Sequence, residues 1–173
     1  MNEPDRQPTL EGDLVILRPS VAEDFDALFA VASDPLIWEV HPAHDRWKED
    51  VFRPFFEGGI ACGGALTILD KATGAVIGSS RFDKWNPQAD EIEIGWTYIA
   101  RAYWGGVYNR EIKRLMLDHI HRFVETVVFT VGEDNVRSRG AMVKIGGVLR
   151  PGTEDRPMAG EMKPHVIYEI RRG

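Results

Sequence analysis

The sequence predicts a single mixed α/β domain, and three patterns predict it. Short apolar runs rich in Val and Ile recur along the whole chain, as buried strands require. Between them lie segments whose apolar residues repeat at helical spacing. Gly, Pro, Asn and Asp punctuate the joins. In order the elements run β-α-α-β-β-β-α-β-α-β-β, with strands dominating the middle and helices crossing between them. At 173 residues, 43% of them hydrophobic, the chain can bury roughly 70% of its unfolded surface as one domain, 1–173.

Residues 1–12 read as a polar, poorly ordered arm. Leu14-Val-Ile-Leu17 is a short apolar strand closed by Arg18-Pro19. Ser20-Val-Ala-Glu23 fits a capping box, and Phe25, Leu28, Phe29 and Ala32 follow at helical spacing until Asp34-Pro35 stops the helix. A second helix over Asp45 to Phe56 carries Trp47, Val51 and Phe55, with Pro54 placed to disturb its end. Glu57-Gly-Gly-Ile-Ala-Cys-Gly-Gly64 reads as a glycine-rich connection. Ala65 to Asp70, the turn Lys71-Ala-Thr-Gly74, and Ala75 to Phe82 form a hairpin. Asn86-Pro87 breaks the chain before the strand Glu91-Ile-Glu-Ile-Gly-Trp-Thr-Tyr-Ile99.

The next helix has the clearest pattern. Ile112, Leu115, Met116, Ile120 and Phe123 fall on one stripe, and Arg110, Lys113, Arg114, Asp118 and Arg122 lie largely off it. Thr126 to Val131 is a buried-strand run. Asp134-Asn135 caps a further helix containing Ala141, Met142 and Ile145, which Gly146-Gly147 ends. Val148-Leu149, a polar loop and the strand Val166 to Ile170 complete the chain.

Composition narrows the function. A net charge of −6 disfavours a nucleic-acid partner and mildly favours a cationic acceptor. No apolar run reaches the ~18 residues of a membrane span, and Met1-Asn-Glu-Pro-Asp5 lacks a signal region. The one cysteine, Cys62, cannot form an internal disulfide. These features read as a cytoplasmic protein.

The strongest functional signal is Arg101-Ala-Tyr-Trp-Gly-Gly-Val-Tyr-Asn109-Arg-Glu111. A strand that turns through glycines into a helix leaves several backbone N–H groups aimed at one spot, with the helix dipole behind them. That spot suits a phosphate or pyrophosphate, while glycines at such a junction also serve simply as a tight turn. The G-x-G-x-x-G pattern and the P-loop ending G-K-S/T are both absent. Their absence points away from a dinucleotide or ATP and leaves room for another diphosphate carrier.

The element order, this turn, and Asn135-x-x-Ser138-x-x-Ala141-x-x-Lys144-x-Gly146 together resemble the GNAT superfamily of acyl-CoA N-acyltransferases. Within it, Trp104-Gly105 and Asn-x-x-Ser are similar to the branch of ribosomal-protein N-terminal acetyltransferases. The likeness runs from about Leu14 to Ile170. It implies a mostly antiparallel central sheet with helices on both faces, and acetyl-CoA as cosubstrate. It implies that backbone amides of the turn Trp104-Gly105-Gly106-Val107-Tyr108-Asn109, on to Arg110, hold the coenzyme A pyrophosphate. The turn departs from the family pattern Q/R-x-x-G-x-G/A, because Val107 and Asn109 stand where Gly, and Gly or Ala, are expected.

The resemblance also assigns chemistry downstream. Asn135 reads as a helix N-cap and, by likeness, as a partner of the pantetheine arm. Ser138, one turn later on the same face, reads as a solvent-facing serine or, by likeness, as the acid that protonates the departing thiolate. Other members place a tyrosine slightly further along, and positions 139 to 147 contain none. The acceptor amine, with a pKa of about 8 for an α-amine or about 10.4 for a lysine, needs a base or water relay at neutral pH. Glu91 and Glu93 alternate with Ile92 and Ile94, so their carboxylates share one sheet face. Glu93 is the first choice, Glu161 in the loop before the last strand is a rival, and two solvated glutamates are the plain alternative. Transfer is then expected by direct attack in a ternary complex, with backbone N–H groups near the end of the 91–99 strand polarising the carbonyl.

The remaining features are less specific. His41-x-x-His44-Asp45 makes a poor metal site, since Pro42 breaks the helix that would align the imidazoles. Trp38, His41 and Trp85 border the acceptor pocket in a family-level reading. Expected partners are a small-molecule or peptide amine and, by likeness, a second copy of the chain. A non-catalytic acyl-CoA-binding module is the main alternative, and an ATP- or dinucleotide-binding enzyme a more distant one.

Overall fold

The Val- and Ile-rich runs pair into one open sheet of nine strands in the computed structural model, which describes residues 2–173. The strands are β1 (Leu10–Glu11), β2 (Val15–Pro19), β3 (Ala65–Asp70), β4 (Val76–Asn86), β5 (Glu91–Ile99), β6 (Thr126–Gly132), β7 (Val148–Leu149), β8 (Glu154–Met158) and β9 (Glu161–Arg171). Four α-helices accompany them: α1 (Phe25–Ala32), α2 (Glu49–Cys62), α3 (Val107–Ile120) and α4 (Val136–Lys144). The sheet order is β1-β2-β3-β4-β5-β6-β9-β7, with β8 also pairing with β9. Every pairing is antiparallel except β5 with β6.

Each face of the sheet is covered by two helices. Ile112, Met116 and Ile120 of α3 and Met142 of α4 pack on Leu66, Phe82, Ile92, Ile94, Val127 and Phe129. On the opposite face Leu28 and Ala32 of α1 and Phe52 of α2 close over Ile37, Trp38 and Tyr98. Each large apolar side chain so buried contributes about 1.5–3 kcal/mol, which makes the helical stripe of α3 decisive for its orientation.

Several expectations need correction. The 1–12 segment docks: β1 pairs with β2, and His119 Nε2 lies 2.8 Å from the Asp5 carbonyl oxygen. No Ser20–Glu23 capping box forms. Ser20 Oγ instead meets Thr67 Oγ1 at 2.8 Å, and the Asp24 carboxylate accepts the Val21 N–H at 2.9 Å. Helix α2 starts later than expected and continues through the glycine-rich segment to Cys62, where Gly63 ends it at φ 71°. Gly59 is needed there because a Cβ would sit 2.9 Å from the Arg81 guanidinium and 3.2 Å from the Ala65 Cβ. The polar loop after Leu149 folds back as β8 on β9, adding a strand whose side chains are mostly exposed and so carry no apolar signal.

Two charged residues of α3 are buried against expectation. Lys113, expected off the apolar stripe, is 3% exposed. Glu111 accepts the backbone N–H groups of Asp13, Leu14 and Val15 at 2.8, 2.8 and 2.9 Å, tying α3 to the start of β2.

Candidate active site

The site follows from the sheet's single parallel pairing. β5 and β6 bond only from Glu91 opposite Thr126 to Glu93 opposite Val128. Beyond that point they part, and a cleft of about 630 Å³ opens between Ile94–Ile99 and Phe129–Gly132. The starts of α3 and α4 line it together with Trp38, His41, Arg46, Met158 and His165, and Arg137 at the start of α4 donates to the Ile37 carbonyl at 2.8 Å. A strand edge exposed inside a cleft offers unpaired backbone donors and acceptors to an extended ligand.

The turn that the sequence singled out lines this cleft. Gly105 and Gly106 adopt φ 117° and 97°, conformations that side chains rarely enter, and Gly106 is the N-cap of α3. Arg110 N–H bonds the Gly106 carbonyl at 2.9 Å, so Arg110 falls out of the expected amide set. The N–H groups of Gly106, Val107, Tyr108 and Asn109 have no backbone partner among the described residues. Arg110 and Asn109 line the cleft beside them, whereas the Val107 side chain points to solvent and Tyr108 packs on Tyr103 at 4.9 Å. Neither of those two side chains lines the cleft. Trp104 Nε1 donates to the Ile99 carbonyl at 3.0 Å, and the Arg137 guanidinium lies 4.0 Å over its ring.

Asn135 and Ser138 stand together on the cleft lining. Asn135 caps α4, its Oδ1 accepting the Ser138 N–H at 3.2 Å, which leaves its Nδ2 hydrogens free. The Ser138 hydroxyl is half-buried and makes no hydrogen bond among the described residues. Across from them β5 carries an extra residue. Register passes from Tyr98 opposite Ser79 to Gly95 opposite Arg81, and Trp96 is forced to φ 54°. This bulge redirects the peptide groups of β5 along the cleft wall.

The three candidate carboxylates separate. Glu93 lines the cleft, 3% exposed, and accepts Arg156 Nη1 and Nη2 at 3.0 and 2.6 Å and Thr130 Oγ1 at 3.0 Å. Glu91 shares its sheet face but pairs with Arg150 Nη2 at 2.8 Å and does not line the cleft. Glu161 is the exposed first residue of β9, outside the cleft. The sequence overlooked His165, a buried imidazole of β9 on the cleft wall. Its Nδ1 lies 2.8 Å from the Lys163 carbonyl and must donate to it, which leaves Nε2 with a free lone pair.

Charge in the cleft opposes that of the whole chain. Glu93 is the only carboxylate on its lining among the described residues, against Arg46, Arg110, Lys113, Arg137, Lys144 and Arg156. Lys113 Nζ donates to Thr97 Oγ1 at 2.6 Å with no acid beside it, and burial pulls its pKa down to about 7. Burial first, then the cations Arg46, Arg137 and Lys163 and the imidazole of His165, hold His41 down at about 3, so it is neutral. Trp38 and His41 line the cleft as expected, and Trp85 does not. His44 is exposed, and no group of three or more His, Cys, Asp or Glu among the described residues could hold a metal. Cys62 donates its thiol to the Gly59 carbonyl at 3.2 Å, outside the cleft.

Comparison with protein families matches residues 15–148 to the acetyltransferase (GNAT) domain. A search of curated proteins returned no match. Among solved structures, the chain resembles a GCN5-related N-acetyltransferase from Brucella melitensis, with TM-score 0.80, 22% identity, and 98% of this chain and 80% of that one covered. A GNAT-family acetyltransferase from Bacillus anthracis matches with TM-score 0.76 and 19% identity, covering 95% and 98%. Spermidine N-acetyltransferase from Vibrio cholerae, in complex with CoA and spermine, matches with TM-score 0.71 and 14% identity, covering 92% and 96%. At these identities the likeness is one of fold.

Proposed function

We infer the chemistry from one premise: this chain belongs to the GNAT acetyltransferase family. The reading is an N-acetyltransferase that moves an acetyl group from acetyl-CoA to a primary amine by direct attack in a ternary complex, in a cytoplasmic setting. The observation that carries it is the continuous cleft, lined by the turn with its unpaired amides, by a free strand edge and by Ser138. The fit to coenzyme A is chemical as well as spatial. Four free amides and Arg110 suit a pyrophosphate, and the Nδ2 hydrogens of Asn135 suit a pantetheine carbonyl.

When bound, acetyl-CoA supplies the activated acyl thioester. The residues of this chain do the rest. Amides of β5 beyond Gly95 donate to the carbonyl oxygen as charge develops on it. Ser138 donates its hydroxyl proton to the departing thiolate. Glu93 accepts Thr130 and Arg156 on Oε1 and Arg156 alone on Oε2, which leaves a position on Oε2 for a water that relays the amine proton to it. A second reading of the base is favoured by the free Nε2 of His165, which can accept that proton itself. Cys62 lies outside the cleft, which argues against a covalent acyl-enzyme.

Thermal unfolding with acetyl-CoA, followed by thiol-release assays over a panel of amines, tests this reading. Saturating acetyl-CoA should raise Tm by roughly 5–10 °C at a hundredfold excess over Kd. No shift and no thiol release with any amine would refute it.

A further inference from the structure

Arg46 lines the cleft without an ion pair among the described residues. It lies in the turns before α2, its guanidinium carbon 4.1 Å from the Phe55 ring centroid and 5.2 Å from that of Trp38. The only hydrogen-bonding contact of its guanidinium among the described residues is the Met158 Sδ at 3.8 Å. Arg156 is matched by Glu93, Arg81 by Asp83 at 3.8 Å and Arg101 by Asp34, whereas Lys113 and Arg137 line the same cleft with only neutral acceptors, Thr97 Oγ1 and the Ile37 carbonyl. Asp45, adjacent in sequence, acts on Arg46 through its charge without forming an ion pair with it, and its own Oδ1 is buried without a hydrogen-bond partner. Burial first, then the charge of Arg81, lowers the Arg46 pKa to about 10 against the opposing influence of Asp45. Aromatic faces hold the group in place without neutralising it.

The cleft wall also carries two donors, Tyr98 and His41, beside the acceptor Nε2 of His165. Tyr98 is buried there, and its hydroxyl has no hydrogen-bond partner among the described residues. His41 Nδ1 accepts the Ala43 N–H at 2.9 Å, so the neutral ring carries its proton on Nε2 and can donate it. The position is fixed from below. A Cβ on Gly132 would lie 2.3 Å from the Pro42 ring, and Lys163 Nζ donates to the Pro42 carbonyl at 3.0 Å. This wall lines the same cleft as the amide turn, and Arg137 joins the two, its guanidinium over the Trp104 ring and bonded to the Ile37 carbonyl at 2.8 Å.

We propose that the acceptor is an amine that also carries a carboxylate, and that Arg46 receives that carboxylate with Tyr98 and His41 as supporting donors. The inference rests on the acetyl-transfer reading. A guanidinium fork matches a carboxylate through two parallel hydrogen bonds, and a monoanion balances one cation. A polyamine would instead place further positive charge beside Arg46 and Arg137, which the single, already paired Glu93 does not offset. The −6 of the whole chain is therefore a misleading guide to the acceptor.

Matched acceptors test it: short amino acids and dipeptides, each against its C-terminal amide, with spermidine as a third arm, at saturating acetyl-CoA. The carboxylate form should exceed its amide about ten- to a hundredfold in kcat/KM, the size of one charge-assisted pair. Arg46→Gln should bring each pair within about twofold, chiefly through KM, while the acetyl-CoA thermal shift holds; Arg46→Lys should keep part of the preference. Tyr98→Phe keeps the packed ring and should raise KM for the carboxylate form alone. Equal use of both forms, spermidine as best acceptor, a preference that survives Arg46→Gln, or acetyl-CoA binding with no amine used would each overturn the inference. Failure of the acetyl-transfer reading looks different, since acetyl-CoA would then give no thermal shift.

Discussion

Asn135 commits its side-chain oxygen to the Ser138 amide and keeps its Nδ2 hydrogens, so one residue can serve both the helix and a ligand. Ser138 is thereby held at the first turn of α4 with a free hydroxyl. Ser138→Ala should lower kcat about a hundredfold and leave acetyl-CoA affinity unchanged, measured by thiol release and titration calorimetry. The two bases are separable by substitution. If His165 takes the proton, His165→Gln lowers kcat far more than Glu93→Gln does, measured by thiol release at saturating acetyl-CoA. Lys113 permits a prediction in stability. Burial lowers its folded pKa from 10.5 to about 7, so between these values the unfolded chain holds the proton more tightly. Its destabilising contribution is full below about pH 7 and fades as pH rises toward 10.5. Lys113→Met should raise Tm strongly near pH 7 and much less near pH 10; a difference that is flat with pH would contradict this. Lys113, Arg46 and His165 were not legible as site residues, because each stands alone among ordinary neighbours in sequence. Their roles depend on which strand or helix comes to lie opposite.

The turn into α3 works through its backbone. Gly105 and Gly106 were legible because a strand run, two glycines and an amphipathic stripe follow one another. The departures at Val107 and Asn109 leave the amides free, since the Val107 side chain faces solvent and Asn109 only borders the cleft. Gly106 sits at φ 97°, so Gly106→Ala should cost about 1–2 kcal/mol. It should also weaken acetyl-CoA more than the acceptor, read as a rise in the acetyl-CoA KM. Helix α2 shows where sequence reading stopped short. Glycines at 58 and 59 suggested a loop, yet Gly59 is the residue that lets a helix approach Arg81 and Ala65. β8 was illegible for a related reason: Glu154–Met158 is held by backbone pairing with β9, with little apolar burial behind it.

At the scale of the molecule, the sheet is interrupted in one place and the function is proposed for that place. Antiparallel pairing seals every neighbour except β5 and β6, whose three-residue parallel contact leaves the rest of both edges open. The element order was legible from the sequence apart from β1 and β8; the parting of β5 and β6 was not, because it depends on pairing register. A chain of net −6 thus surrounds a cleft lined by six Lys and Arg against one Glu. Exposed charge is screened at high ionic strength, so raising salt from about 0.05 to 0.5 M should increase the acetyl-CoA KM several-fold. The central claim is that one cleft brings thioester and amine together without a covalent enzyme intermediate. Initial rates with both substrates varied, read as thiol release, test it most directly. Intersecting reciprocal plots, with an acetylated amine as product, are the predicted result; parallel plots, or no release from a protein that acetyl-CoA does not stabilise, would contradict it.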